Sequence, residues 1–108
     1  EEFRRAAGSD ASRLALFVYI RDGTGIRARM FAPLGGIPED PATGGAAAAL
    51  VAWLGKLDGR SAGFEVSQGG EMGRPSLIEA QVAVESGEPI AVTIGGRAVR
   101  VMEGRLTL

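Results

Sequence analysis

The sequence contains no cysteine and no histidine. Without cysteine there is no disulfide framework, no thiolate nucleophile and no two-thiol mechanism of proton transfer. Without histidine there is no imidazole base, and the two absences together remove the usual zinc and iron ligands. The expectation is a domain with neither metal nor cofactor. Charge of one sign is lacking as well: 12 basic residues stand against 13 acidic ones. No broad basic face is implied, which argues against nucleic acid or an anionic membrane as a partner. No apolar run reaches the roughly 20 residues that a membrane helix needs. No secretory leader is read either, so the expected location is cytoplasmic.

What is present is glycine, 17 residues of it, within a chain that is 45% hydrophobic. That apolar fraction belongs to a folded protein, not a linker. With 108 residues and no internal repeat or boundary, residues 1–108 read as a single domain.

The chain is organised around residues 35–57. This stretch opens as a Gly- and Pro-rich loop, passes through Asp40-Pro41-Ala42-Thr43-Gly44-Gly45, and is then almost wholly apolar to Leu54. A helix that is apolar all round is normally enclosed by its domain. The expectation is therefore a buried helix over Gly44–Leu57. At its start, Asp40 before Pro41 fits an N-cap with proline at the first helical position, and Thr43 is the alternative cap. In either case Gly44 and Gly45 leave the first-turn amides uncovered, and such a terminus receives carboxylates and phosphates. Asp40 is thus either a structural cap or one wall of an anion-binding turn.

Around the helix the pattern is that of strands. Residues 1–8 suggest a short helix. Arg13–Arg21 is a strand apolar on both faces, as expected inside a covered sheet. Ile26–Ala32 alternates, with Ile26, Met30 and the alanines on one face and Arg27, Arg29 and Phe31 on the other. Arg29 either lies on a solvated face or pairs with Glu39 or Asp40. Gly63–Gly69 is a strand with Phe64 and Val66 inward, followed by the Gly69–Ser76 loop, where Arg74 offers a planar fork for a carboxylate. Leu77–Ser86 and Pro89–Ile94 are strands, and Gly95-Gly96 suggests a two-residue hairpin into Arg97–Met102. The class is α+β: a strongly curved, mixed and largely antiparallel sheet wrapped around one buried central helix.

Three groups of residues, Arg29-Met-Phe-Ala-Pro33, Gly36-Ile-Pro-Glu-Asp-Pro-Ala-Thr-Gly44 and Gln68-Gly with Gly73-Arg-Pro-Ser76, resemble the phenazine-biosynthesis (PhzF-like) isomerases. Their order and spacing are similar to the second half of that family. The resemblance implies one half of the diaminopimelate-epimerase-like fold, with the active site between two halves. It also implies metal-free isomerisation of a small unsaturated or aromatic-precursor acid. In that chemistry a glutamate of the other half shuttles the proton, and the aspartate matching Asp40 binds and orients the substrate. Thr43, Gly44, Gly45, Gly73 and Arg74 are the substrate-binding candidates that go with it. One position departs from the family's pattern, which has serine where this chain has Gly45. The cleft then needs a partner, either a separate first-half domain or a second copy in a homodimer. A non-catalytic module that binds a small carboxylate or a protein is the alternative.

Overall fold

The structure is a computed structural model and describes residues 1, 2, 5 and 14–108. The helix expected over residues 1–8 lies largely outside the described residues, as does Arg13. Six strands and one long helix follow in order: β1 Leu16–Asp22, β2 Gly25–Ala32, β3 Ile37–Asp40, α1 Gly44–Asp58, β4 Ala62–Gln68, β5 Ser76–Glu85 and β6 Glu88–Gly95. They form one mixed sheet of order β1-β2-β4-β5-β6, with β3 also on β2. Every pairing is antiparallel except β2 with β4, where the chain crosses over through the helix. The class is α+β, one helix against a six-stranded sheet.

The two chain reversals that matter here follow from local chemistry. Ser86 and Gly87 both have positive φ (51° and 78°), as a two-residue turn between β5 and β6 requires. Gly59 ends α1 in the left-handed conformation (φ 65°), where a side chain would be strained. The core is aliphatic: Ala47, Leu50, Val51 and Leu54 of α1 meet Ile26, Ala28, Phe64, Val66, Ile78, Ala80 and Val82 of the sheet. At Gly55 helix and sheet come so close that a Cβ would lie 2.8 Å from Val82 Cγ1.

The alternation in β2 holds, with Ile26 and Ala28 buried and Arg27 exposed. Phe64 and Val66 point inward on β4 as well. Five expectations are corrected. The helix is not enclosed: α1 packs on the sheet through one side only, leaving Trp53 54% and Leu57 61% exposed. The sheet therefore does not curl around it; an all-apolar sequence carries no signal for which side is covered. Strand β1 begins at Leu16 and sits at the sheet edge, with Leu16, Val18, Tyr19 and Ile20 all exposed. Residues 37–40, read as loop, form β3 on β2 across a bulge. Finally, the hairpin at Gly95-Gly96 does not form, and residues 96–108 add no strand. Neither glycine takes the left-handed conformation that such a turn demands.

Candidate functional site

The site is assembled along one edge of β2. Its first half pairs with β4, placing Gln68 opposite Ala28, and its second half pairs with β3, placing Asp40 opposite Met30. Partners of Ala28 and Met30 lie about 7 Å apart along such an edge, within reach of a long side chain. The end of β4 is thereby set against the end of β3, just before the chain turns into α1.

Gln68 is the buried polar residue of the core, 2% exposed. Its Nε2 donates to the Asp40 carbonyl (2.7 Å) and to Thr43 Oγ1 (2.9 Å), and its Oε1 accepts from the Thr43 amide (3.2 Å). The Thr43 hydroxyl in turn donates to Asp40 Oδ2 at 2.6 Å. From the next strand, Ser76 Oγ donates to the Pro41 carbonyl at 2.8 Å. The Asp40–Thr43 turn is thus clamped from inside by two side chains, and no buried side-chain polar atom is left unpaired among the described residues.

Gly69 completes the clamp. With φ 80° and Pro41 O only 2.8 Å from where a Cβ would stand, the position accepts no side chain. The loop beyond it is a tight backbone knot: the Arg74 amide donates to Gly69 O (2.9 Å) and the Gly73 amide to Gly70 O (3.1 Å).

The clamp leaves the helix terminus uncapped. Thr43 occupies the N-cap position, but its hydroxyl is turned to Asp40 and makes no capping bond, and the first turn holds no acidic residue. Asp40 itself lies on β3 and does not cap either. The amides of Gly44, Gly45 and Ala46 consequently meet no side-chain acceptor among the described residues. Ala42 and Gly45 are exposed, so the turn is at the surface. Around it the macrodipole places partial positive charge.

Of the sequence candidates, Asp40, Thr43, Gly44 and Gly45 come together in this turn. Gly73 (φ 73°) and Arg74 stand on the β4–β5 loop, whose backbone packs against Pro41 through Gly69, while the Arg74 side chain is exposed. Arg29 takes Glu39, not Asp40, as its partner, through two bonds of 2.8 and 3.0 Å. Those bonds hold the Glu39 carboxyl below the usual carboxylate range, with the charge of Arg29 adding to the effect. Asp40 keeps its second oxygen, Oδ1, without a hydrogen-bond partner among the described residues. In the sequence Gln68 and Ser76 stand out only as part of a pattern. A glutamine closing an alternating strand, in register with the buried Phe64 and Val66, was the signal for its inward position.

Comparison with known proteins decides the ancestry. The description "phenazine biosynthesis-like protein" (PhzC-PhzF) matches residues 16–104. The chain belongs to this phenazine biosynthesis-like family. An uncharacterized isomerase of Clostridium acetobutylicum is 44% identical over 88 residues, covering 77% of this chain and 29% of the relative. An uncharacterized isomerase of Mesorhizobium japonicum is 39% identical, covering 83% of this chain and 32% of the relative. The trans-2,3-dihydro-3-hydroxyanthranilate isomerase of Pseudomonas chlororaphis is 34% identical over 97 residues, covering 88% of this chain and 35% of that enzyme. The chain thus spans about a third of the length of these family members.

Proposed function

We propose that this domain is one wall of a PhzF-like isomerase cleft, in which a proton moves along a small, unsaturated hydroxy-amino acid without metal or cofactor. The observation that carries the reading is the uncapped start of α1 beside a clamped Asp40 with one free carboxylate oxygen. The amides of Gly44–Ala46 would take the substrate carboxylate, and Asp40 Oδ1 would accept from its amine or hydroxyl. Asp40 then fixes the carbon acid relative to a proton shuttle, which a second polypeptide surface supplies. That surface is a separate first-half domain or a second copy of the chain, and a cytoplasmic setting is part of the proposal. Gly73 and Arg74 border the same wall, with the Arg74 guanidinium available to the substrate's acidic end. A Cβ at Gly45 would meet nothing within 4 Å, so the family's serine fits there sterically and its hydroxyl is simply absent.

The test is proton NMR in deuterium oxide with trans-2,3-dihydro-3-hydroxyanthranilate, for the chain alone and with a PhzF-like first half added. Solvent deuterium entering the substrate, and lost with Asp40→Asn, supports the isomerase. A second reading, a carboxylate-binding module without catalysis, is favoured by one fact: Glu39, the other carboxylate at the turn, is committed to Arg29. Binding that survives Asp40→Asn, with no deuterium incorporated under either condition, would replace the first reading by the second.

A further inference from the structure

The side-chain amide of Gln68 is held one way round by the main chain. Its Oε1 faces the Thr43 N–H, which can only donate, and its Nε2 faces the Asp40 carbonyl, which can only accept. Turned over, the amide would set donor against donor and acceptor against acceptor, so only one orientation satisfies both bonds. The second proton of Nε2 then points at Thr43 Oγ1 (2.9 Å), which accepts it. Thr43 has its own hydroxyl proton left to place, and Asp40 Oδ2, at 2.6 Å, takes it. The bonds therefore run in one direction, from Gln68 through Thr43 to Asp40.

That direction constrains the carboxylate. A proton on Oδ2 would confront the Thr43 hydroxyl proton, which has no other acceptor among the described residues. Oδ2 is thus held as an acceptor, and Oδ1 is the oxygen left to meet a ligand or to carry a proton. Arg29 does not compete for it, being engaged by both oxygens of Glu39. Thr43 is constrained as well. A threonine at a helix N-cap ordinarily turns its oxygen to a first-turn amide. Here that oxygen is drawn to Gln68 and Asp40, and the capping bond is missing.

We infer that Gln68, itself too deeply buried to touch a ligand, is a positioning residue: it fixes the direction of the Thr43 hydroxyl, which holds Asp40 in one rotamer and withholds Thr43 from capping α1. Its effect on a ligand rests on the isomerase wall proposed above. Its effect on Asp40 needs no ligand.

The test keeps those two effects apart. In the isotopically labelled full chain without ligand, nuclear magnetic resonance follows the Thr43 hydroxyl proton and the Asp40 χ1 rotamer. The hydroxyl proton exchanges with water at least about tenfold more slowly than in a solvated threonine, and Asp40 occupies one rotamer. Gln68→Glu keeps the size but removes both donated protons; it loses the slow exchange and averages the rotamer. Thr43→Val averages the rotamer too, whereas Thr43→Ser keeps it single, with far-ultraviolet dichroism unchanged in both. The Thr43 pair and the wild-type exchange rate decide the matter even where Gln68→Glu does not fold. A hydroxyl proton that exchanges freely in the wild type would overturn the inference, as would a single Asp40 rotamer in Thr43→Val or in folded Gln68→Glu. With ligand, anthranilate, whose amine lies beside its carboxylate, binds about tenfold more tightly than benzoate. That preference is lost in Thr43→Val and kept in Thr43→Ser; its survival in Thr43→Val would also overturn the inference. Binding of neither acid by the wild type would instead sink the isomerase wall, and the rotamer and exchange results would still decide the role of Gln68.

Discussion

At the scale of single residues, the Asp40 turn depends on groups that never touch solvent. Replacing Gln68 with leucine keeps the volume but strands the Thr43 amide and the Asp40 carbonyl; the expected loss is about 2–3 kcal/mol in chemical denaturation. Two glycines of the following loop separate backbone strain from steric conflict. Gly69 and Gly73 both have positive φ, but only at Gly69 would a Cβ strike backbone, at the Pro41 and Arg74 carbonyls. Gly73→Ala should cost about 1 kcal/mol, the ordinary left-handed penalty. Gly69→Ala should cost roughly 3 kcal/mol or more and displace the Asp40 turn with it. Equal effects at the two positions would show that the clamp is not rigid.

At the scale of elements, the Arg21–Asp58 pair links the edge strand β1 to the end of α1 through bonds of 2.6 and 3.2 Å. Asp58 is a poor charge for a helix C-terminus, and Arg21 offsets it. Hydrogen bonding from Arg21 holds the Asp58 carboxyl below its ordinary value, as Arg29 does for Glu39. Both folded-state values lie below the unfolded ones, so this contribution is complete above about pH 5, past the unfolded titration, and is lost as pH falls through the folded values. Denaturation midpoints should be flat from neutral pH down to about pH 5 and fall below that, and Asp58→Asn should remove part of the fall. The helix itself gives a paired expectation. Leu54→Ala, in the core, should cost about 2–5 kcal/mol, and Leu57→Ala, on the open side, less than about 1 kcal/mol.

That contrast also marks how far the sequence could be read. The strands β2, β4 and β5 and the helix were legible because alternation or an apolar run announces them. Strand β3 was not, because Pro38 and the flanking glycines are turn chemistry, and only its position on β2 makes it a strand. The side of α1 left open was invisible for a different reason: Trp53 and Leu54 are equally apolar, and only the packing of α1 against β4, β5 and β6 separates them. Gly95-Gly96 signals a reversal that the chain does not take. The Asp40 turn was found from its pattern, but the clamp behind it is a long-range arrangement, since Gln68 and Ser76 lie far along the chain from Thr43.

At the scale of the molecule, the chain belongs to the phenazine biosynthesis-like family and spans about a third of its relatives' length, and the proposed cleft wall needs a second surface to complete it. In the proposed function the uncapped turn is the part of that wall that meets ligand. The most direct measurement is a nitrogen–proton correlation spectrum of the chain titrated with 3-hydroxyanthranilate, a stable small aromatic acid. Saturable shifts centred on the amides of Thr43, Gly44, Gly45 and Ala46, abolished in Asp40→Asn, are the expected result. Shifts centred elsewhere on the domain, or none at saturating ligand, would contradict it.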